Sequence, residues 1–182
     1  DQVMATLELE DGVAFDPARR APAGWCGARG GYVFQDALAA LHPLRTIGAQ
    51  LAETLRAHGH DAGREAVAAA PREVALDPAL ASAHPHRLSG GQRQRALIAL
   101  ALAPQPSLLL ADEPTSALDV GVQREVLDLL QRLRGARGLA LVFIGHDLAV
   151  IAELADHLLV LRDGAVVEQG RATDVLAGPR AD

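Results

Sequence analysis

Three apolar segments of the chain each end in side chains that can act on a phosphate or on a water molecule. Gln35 follows "YVF", Asp112 and Glu113 follow "SLLLA", and His146 follows "ALVFIG". Ligands of open α/β sheets bind beyond the carboxyl ends of the strands, so these groups are expected to meet at one edge. Any one of them alone would be an ordinary loop residue. Together, an amide, two carboxylates and an imidazole indicate a metal-assisted nucleotide site.

The two carboxylates are predicted to have different roles. Asp112 ends an apolar strand, the arrangement called Walker B, and is the candidate ligand of Mg²⁺, directly or through water. Glu113 comes next and is the candidate that polarises an attacking water molecule. The alternative is that the pair only caps a following helix.

A second phosphate-binding pattern lies in "HRLSGGQRQRALIALALA", residues 86–103. Ser89, Gly90 and Gly91 precede an apolar helix, where small residues let backbone N–H groups approach an anion and the helix dipole favours negative charge. The plainer alternative is a simple helix cap. The chain contains no lysine, so the phosphate loop G-x-x-x-x-G-K-[ST] is absent from it.

The elements that would position these residues predict an α/β fold. Near-continuous apolar strands alternating with helices favour a parallel sheet covered on both faces. Upstream, residues 5–16 are expected to form a hairpin or paired strands and residues 17–31 a loop. Downstream, we predict strands over residues 107–113 and 139–146, helices over 91–103, 120–138 and 147–156, and a hairpin over 158–170.

Residues 40–86 are predicted to form a small helical subdomain, followed by the signature and switch region over 87–182. The stretch is rich in Ala and Leu, with helical spacing that is interrupted around Gly59 and Gly63. Pro71 is expected to break its helix, because proline lacks the N–H group and its ring clashes with the preceding turn.

Composition limits the class of protein. The chain has 182 residues, 49% of them hydrophobic, which suits one domain with a substantial core. Its net charge of −6, without a long basic run, argues against nucleic acid as a partner. Cys26 is the only cysteine, which favours a reducing compartment. No apolar run approaches the roughly 20 residues of a membrane span, so we expect a cytosolic protein that reaches a membrane only through a partner.

The run "LSGGQRQRALIALALAPQPSLLLADEPTSALD", residues 88–119, resembles the signature-to-Walker B region of ATP-binding cassette (ABC) ATPases. The resemblance covers roughly residues 30–178. It implies a P-loop NTPase-like parallel sheet core with an α-helical subdomain, N-terminally incomplete. It also identifies Gln35 as the Q-loop, 88–92 as the signature, 108–113 as Walker B, 116–119 as the D-loop and His146 as the switch histidine.

The resemblance implies ATP and Mg²⁺ as cofactors and a second ABC ATPase domain as partner, with two ATP molecules sandwiched between the domains. Glu113, His146 and Gln35 would be catalytic at one ATP, with Asp112 and Gln35 as metal ligands. The other ATP and the coupling between the sites would involve the signature and D-loop residues, namely Ser89, Gly90, Gly91, Gln92 and Asp119.

Three further stretches resemble the dipeptide, oligopeptide and nickel importers within the ABC family. They are "FQDALAALHPLRTIGAQL" (34–51), "ALDVGVQREVLDLLQRL" (117–133) and "VVEQGRATDVLAGPR" (166–180). This likeness implies a subunit that energises import, held at the inner face of the cell membrane by transmembrane permease subunits. The sequence does not indicate which cargo is transported. It is equally compatible with a second ATPase domain in a homodimer, a heterodimer or a tandem fusion.

The missing phosphate loop leaves two interpretations of the chain and two of its function. Either the chain starts just past the phosphate-loop helix, or an internal deletion follows "ATLELED". Functionally, the alternative to an ATP-hydrolysing importer subunit is a hydrolysis-deficient partner that contributes only its signature to another ATPase. In both cases the isolated chain is expected to show negligible ATPase activity. An ABC ATPase acting on nucleic acid or ribosomes is disfavoured by the acidic charge.

Overall fold

The structure, a computed structural model, describes residues 2–5 and 29–178. Two 3₁₀ turns, Pro78–Ser82 and Pro85–Arg87, lie between the third and fourth helices. The strands are β1 (Gln2–Ala5), β2 (Gly30–Val33), β3 (Leu108–Asp112), β4 (Ala140–Gly145), β5 (His157–Arg162) and β6 (Ala165–Arg171). The helices are α1 (Ala37–Ala40), α2 (Ile47–Ala57), α3 (Arg64–Glu73), α4 (Gly90–Leu102), α5 (Val120–Arg137), α6 (Leu148–Leu154) and α7 (Ala172–Ala177).

All six strands form one sheet in the order β2-β3-β4-β1-β5-β6. The predicted parallel pairing is confirmed for β2, β3 and β4. In contrast, β1 lies antiparallel between β4 and β5, and β6 is antiparallel to β5. The hairpin expected over 158–170 is confirmed, with Asp163 and Gly164 both at positive φ as a two-residue type I′ loop requires. The hairpin and loop expected over 5–16 and 17–31 lie almost entirely outside the described residues.

One face of the sheet packs on the helices and forms the core. The side chains of β3 alternate, so that Leu109 and Ala111 are fully buried while Leu110 is only partly buried. Helices α4, α5 and α6 bring large apolar side chains to the same core. The largest fully buried side chains from these helices are Ile98, Leu102, Leu129, Leu130 and Ile151.

Helices α2 and α3 and the 3₁₀ turn Pro78–Ser82 pack together beside α4. The interruption expected around Gly59 and Gly63 is confirmed, because α2 ends before Gly59 and α3 begins after Gly63. The expectation that Pro71 breaks its helix is wrong. Pro71 lies buried in the last turn of α3, where only one backbone bond is lost before the helix ends at Glu73. Within the part of the chain that the structure describes, no helix is long and apolar enough to cross a membrane.

Two arginines fasten this helical region to the core helix α5. Arg137, in the last turn of α5, forms a two-point ion pair with Glu73 at the end of α3. Arg95 of α4 donates to the carbonyl oxygen of Val74 at 3.0 Å and to Glu125 at 2.8 Å. The Arg95 contacts hold α4, which carries the signature residues at its start, against α5 and the end of α3.

Candidate functional site

The polar side chains at the ends of β2, β3 and β4 lie at one edge of the sheet, and two of them contact Glu113. Gln35 Nε2 donates a hydrogen bond to Glu113 Oε2 at 2.9 Å. His146 Nδ1 lies 3.3 Å from Glu113 Oε1. Asp112, the fourth predicted residue, accepts a hydrogen bond on Oδ2 from the hydroxyl of Tyr32 at 2.9 Å. We call Gln35, Asp112, Glu113 and His146 the sheet-edge cluster.

Strand register explains why these residues meet. In the parallel pairing, Val33 is opposite Ala111 and Asp112 is opposite Ile144, so all three strands end at the same edge. The chain then turns sharply at Glu113, which has a φ of 41° in the left-handed region. The Glu113 N–H donates to the carbonyl oxygen of Ile144 at 2.9 Å, which anchors this turn to the end of β4.

Glu113 is the central residue of the cluster. Its side chain is 17% exposed, whereas the side chain of His146 is 65% exposed. Because one carboxylate oxygen accepts from Gln35 and the other contacts His146, both oxygens already have partners. A water molecule that binds Glu113 as a general base must therefore replace or share one of these contacts.

Burial raises the pKa of the Tyr32 phenol above its ordinary value, and the hydrogen bond to Asp112 and the charge of Asp112 add to the rise. The phenol is therefore neutral at physiological pH and remains a hydrogen-bond donor to the carboxylate.

A cleft of about 240 Å³ opens beside the cluster. Glu113 and His146 line it together with Thr115, Gln123 and Asp147. The cleft is smaller than the roughly 300–1,000 Å³ typical of a site that encloses a small-molecule ligand. The cleft is therefore too small to enclose such a ligand by itself.

The predicted signature residues form the capped N-terminus of helix α4. We call residues 88–92 the signature turn. Ser89 Oγ accepts from the N–H of Gln92 at 3.3 Å, and Gln92 Oε1 accepts from the N–H of Ser89 at 2.9 Å, which completes a capping box. The backbone N–H groups of Gly90 and Gly91 take no part in this box. They are the groups that a helix N-terminus offers to an anion.

The signature turn packs directly on the D-loop and on the start of α5. A Cβ atom added to Gly91 would lie 2.4 Å from Cγ1 of Val122, and one added to Gly90 would lie 3.2 Å from Cδ2 of Leu118. Asp119 caps α5, since its Oδ1 accepts from the N–H of Val122 at 3.1 Å. The glycines are thus needed for close packing as well as for access to backbone N–H groups.

The structure therefore places the predicted site residues in two groups. The sheet-edge cluster is one, and the signature turn with Asp119 is the other. The turn that follows Glu113 connects them, where Gln123 of α5 donates to Thr115 Oγ1 at 3.2 Å. The alternative role for the acids, as caps of the following helix, is wrong, because neither Asp112 nor Glu113 caps α5. The cap of α5 is Asp119, and Asp112 ends β3.

Tyr32 contacts Asp112 but is not among the site residues predicted from the sequence. A signal for it existed, because parallel neighbours share a face of the sheet and successive side chains alternate. Tyr32 is opposite Leu110, so its side chain lies on the face that also carries Asp112.

The residues present fit Mg²⁺ in their chemistry. In the described ranges, 2–5 and 29–178, no group of three or more His, Cys, Asp or Glu side chains is arranged to hold a metal ion by itself. Mg²⁺ does not need such a group, since it keeps several waters and binds one or two carboxylates together with substrate phosphates. Asp112 Oδ1 and Gln35 Oε1 are hard oxygen donors that the contacts above do not use.

Comparison with known families agrees with this geometry. A family profile described as "ABC transporter" matches residues 11–116, more than half of the chain. The chain belongs to the ABC transporter ATP-binding family. A protein of Brucella melitensis named as a peptide import ATP-binding protein is 45% identical over 155 residues, which cover 82% of this chain and 46% of the relative.

Other ABC proteins give the same result. The peptidoglycan transport ATP-binding protein YejF of Agrobacterium fabrum is 46% identical over 82% of this chain and 28% of its own length. This ABC chain thus spans about half or less of the length of these relatives. A dimeric structure of the ATP-binding cassette MJ0796, in a post-hydrolysis state bound to ADP and Pi, superposes with a TM-score of 0.68 at 31% identity. The match covers 80% of this chain and 64% of that chain. The expected ABC ATPase fold is confirmed.

Proposed function

We propose that this chain is part of the ATP-binding subunit of an ABC importer of the peptide or nickel class and that it energises import by hydrolysing ATP. The convergence of Gln35 and His146 on the carboxylate of Glu113 is the observation that carries this proposal. The names of the relatives, which concern peptide import and peptidoglycan transport, support the class of cargo.

Glu113 is the proposed general base. Its carboxylate accepts a proton from the water that attacks the terminal phosphate, while His146 and Gln35 hold the water and the phosphate oxygens in position. Asp112 and Gln35 are the proposed ligands of Mg²⁺. When bound with ATP, Mg²⁺ neutralises the charge on the phosphate oxygens.

The signature turn is proposed to bind the ATP held by a second ABC ATPase domain. The N–H groups of Gly90 and Gly91 would donate to its terminal phosphate, with Ser89 and Gln92 shaping the turn. Asp119, at the D-loop, would couple the two sites. The cleft beside Glu113 is too small to enclose a small-molecule ligand, and this supports a site that a second domain completes.

Residues 1–182 are proposed to form a single partial ABC ATPase domain, with residues 40–86 as its helical subdomain and 87–182 as its signature and switch region. We further propose that transmembrane permease subunits hold it on the cytoplasmic face of the membrane.

Glu113→Gln tests the catalytic role in the product of the full coding sequence that contains this chain. The amide still accepts a hydrogen bond from Gln35 but is no base, so ATP hydrolysis should fall by about 10²- to 10⁴-fold while ATP binding persists. Unchanged hydrolysis in this variant would contradict the proposal.

A mixing experiment separates a hydrolysing subunit from a chain that only lends its signature. The 182-residue chain is added to an intact peptide-importer ATPase whose own signature serine has been replaced by arginine. The chain should restore hydrolysis, its Ser89→Arg variant should not, and its Glu113→Gln variant should restore it as the native chain does. A chain that lends its signature here, but whose full coding product does not hydrolyse ATP, is a hydrolysis-deficient partner.

A further inference from the structure

Tyr32 is the only tyrosine of the chain, and its hydroxyl is bonded to the carboxylate that is proposed to bind a cation. The bond joins Tyr32 Oη to Asp112 Oδ2 at 2.9 Å, across residues 80 apart in sequence. Tyr32 begins the apolar run that precedes Gln35, but none of the sequence patterns assigns it a role at the site, so the contact calls for its own explanation.

The position of the Tyr32 ring is set by the strand that carries it. Gly31, the preceding residue, lies so close to α4 that an added Cβ atom would be 2.6 Å from the carbonyl oxygen of Ala101. Val33, on the other side, is fully buried. The Tyr32 ring also contacts the ring of Phe34, with centroids 4.4 Å apart and planes inclined at 54°. A phenol held in this way presents its hydroxyl at a fixed place.

The contacts of the two carboxylates differ. Each oxygen of Glu113 has one side-chain contact, Oε2 with Gln35 and Oε1 with His146. Asp112, in contrast, has a described side-chain contact at Oδ2 only. The Tyr32 bond therefore fixes how the Asp112 carboxylate is turned while Oδ1 stays available. Because the phenol is a neutral donor, it orients the carboxylate without introducing a positive charge, which would repel a cation.

We propose that Tyr32 is a positioning residue for Asp112, holding Oδ2 so that Oδ1 can bind a divalent cation or a water molecule of its hydration shell. The inference rests on the proposed function, because it assumes that Asp112 is a cation ligand. Partners that orient metal ligands typically contribute 10- to 100-fold to metal affinity. A residue that only fills space on this face would contribute nothing to that affinity.

The test measures binding of Mn²⁺, a spectroscopic substitute for Mg²⁺, to the full 182-residue chain. Electron paramagnetic resonance of free Mn²⁺ gives the affinity of the native chain and of three variants. Tyr32→Phe removes only the hydroxyl and keeps the ring. Phe34→Leu is the matched control, since leucine keeps an apolar contact beside the Tyr32 ring and leaves the hydroxyl unchanged. Asp112→Asn removes the proposed ligand itself.

The expected result has three parts. Asp112→Asn loses the tightest class of Mn²⁺ sites, Tyr32→Phe weakens that class by about tenfold, and Phe34→Leu leaves it within about twofold of the native value. Circular dichroism checks that each variant keeps the native helix content. As a second readout, 3-fluorotyrosine placed at Tyr32 gives a single ¹⁹F signal, which Mn²⁺ should broaden in the native chain but not in Asp112→Asn.

Two outcomes would overturn the inference, and they differ in what they say about the proposed function. If Asp112→Asn loses the site but Tyr32→Phe binds Mn²⁺ as tightly as the native chain or more tightly, Tyr32 does not position the ligand and the proposed cation site stands. If Asp112→Asn binds Mn²⁺ normally, Asp112 is not the ligand, and both the proposed metal role and the inference fail.

Discussion

The signature turn and the sheet-edge cluster differ in how the fold holds them. The signature turn is closed by a capping box and packs through glycines against Leu118 and Val122. The sheet-edge cluster is joined by bonds between side chains, and two of its members, Gln35 and His146, are exposed.

This difference predicts that the two regions contribute differently to the stability of the fold. The signature turn presents its free N–H groups as a consequence of helix packing, so its geometry is fixed before any ligand arrives. In the sheet-edge cluster the contacts are between polar side chains, and these contacts would have to rearrange for water and a phosphate group to bind there as proposed. Substitutions should accordingly reduce stability in the first region and leave it nearly unchanged in the second.

The largest effect is expected for Gly91→Ala. The new methyl group would meet Val122 Cγ1 at 2.4 Å, and a β-branched side chain in a helix has little freedom to move aside. We expect the free energy of unfolding to fall by about 1–3 kcal/mol. Urea titration followed by circular dichroism measures it.

Gly135→Ala, within α5, is the matched control for that prediction. An added Cβ atom at Gly135 has no neighbour within 4 Å, so alanine should stabilise the helix by up to about 1 kcal/mol. Equal effects of the two substitutions would show that the signature glycines are not needed for packing.

Ser89→Ala is expected to have the next largest effect. It removes the oxygen that accepts from the N–H of Gln92, and loss of a helix N-cap typically lowers stability by about 1 kcal/mol. Ser82→Ala is the control, because Ser82 is exposed and bonds the carbonyl oxygen of Ala79 instead of capping a helix. Similar urea midpoints for the two variants would contradict the role of the capping box.

The double variant Gln35→Ala, His146→Ala should change the free energy of unfolding by no more than about 0.5 kcal/mol. Both side chains are exposed, and surface substitutions away from packed features usually have effects of this size. A loss of about 2 kcal/mol or more in the free energy of unfolding, measured by urea titration, would remove the distinction between the two regions.

The smallest effect concerns pH. Because the pKa of Tyr32 is raised in the folded chain, its contribution to stability is complete below the unfolded pKa and is lost as pH rises to the folded pKa. The phenolate absorbance of this single tyrosine should therefore appear at higher pH in the native chain than in Asp112→Asn. In Asp112→Asn, burial, which is the largest cause of the rise, should still keep the pKa of Tyr32 above that of tyrosine in the unfolded chain. Coincident titrations of the native chain and the variant would mean that the Tyr32–Asp112 bond does not form.

Much of this arrangement follows from the sequence. Apolar runs that end in polar residues located Gln35, Asp112, Glu113 and His146, because parallel strands bring such ends to one edge. The helix that begins at the signature can also be predicted from the sequence, because Ser and Gly followed by apolar residues at helical spacing are a local signal.

The remaining features depend on contacts between distant segments. The antiparallel position of β1 between β4 and β5 is decided by strand pairing, which has no local signature. Pro71 was expected to end its helix earlier because local rules do not show that the helix stops soon afterwards. The bond from Tyr32 to Asp112 requires the register of β2 against β3, which no pattern within either strand contains.

The pairing of β2 with β3 also has a consequence for how the chain folds. The bond between Gln35 and Glu113 joins residues 78 apart in sequence, so the whole helical region must be enclosed before the two strands meet. Closing a loop of that length costs about 4 kcal/mol of chain entropy, while the helices within it need only local contacts. The sheet-edge cluster is therefore expected to form late in folding, and a chain stalled with only its helices formed would have an ordered signature turn, while Glu113, the proposed general base, would not yet have its partners.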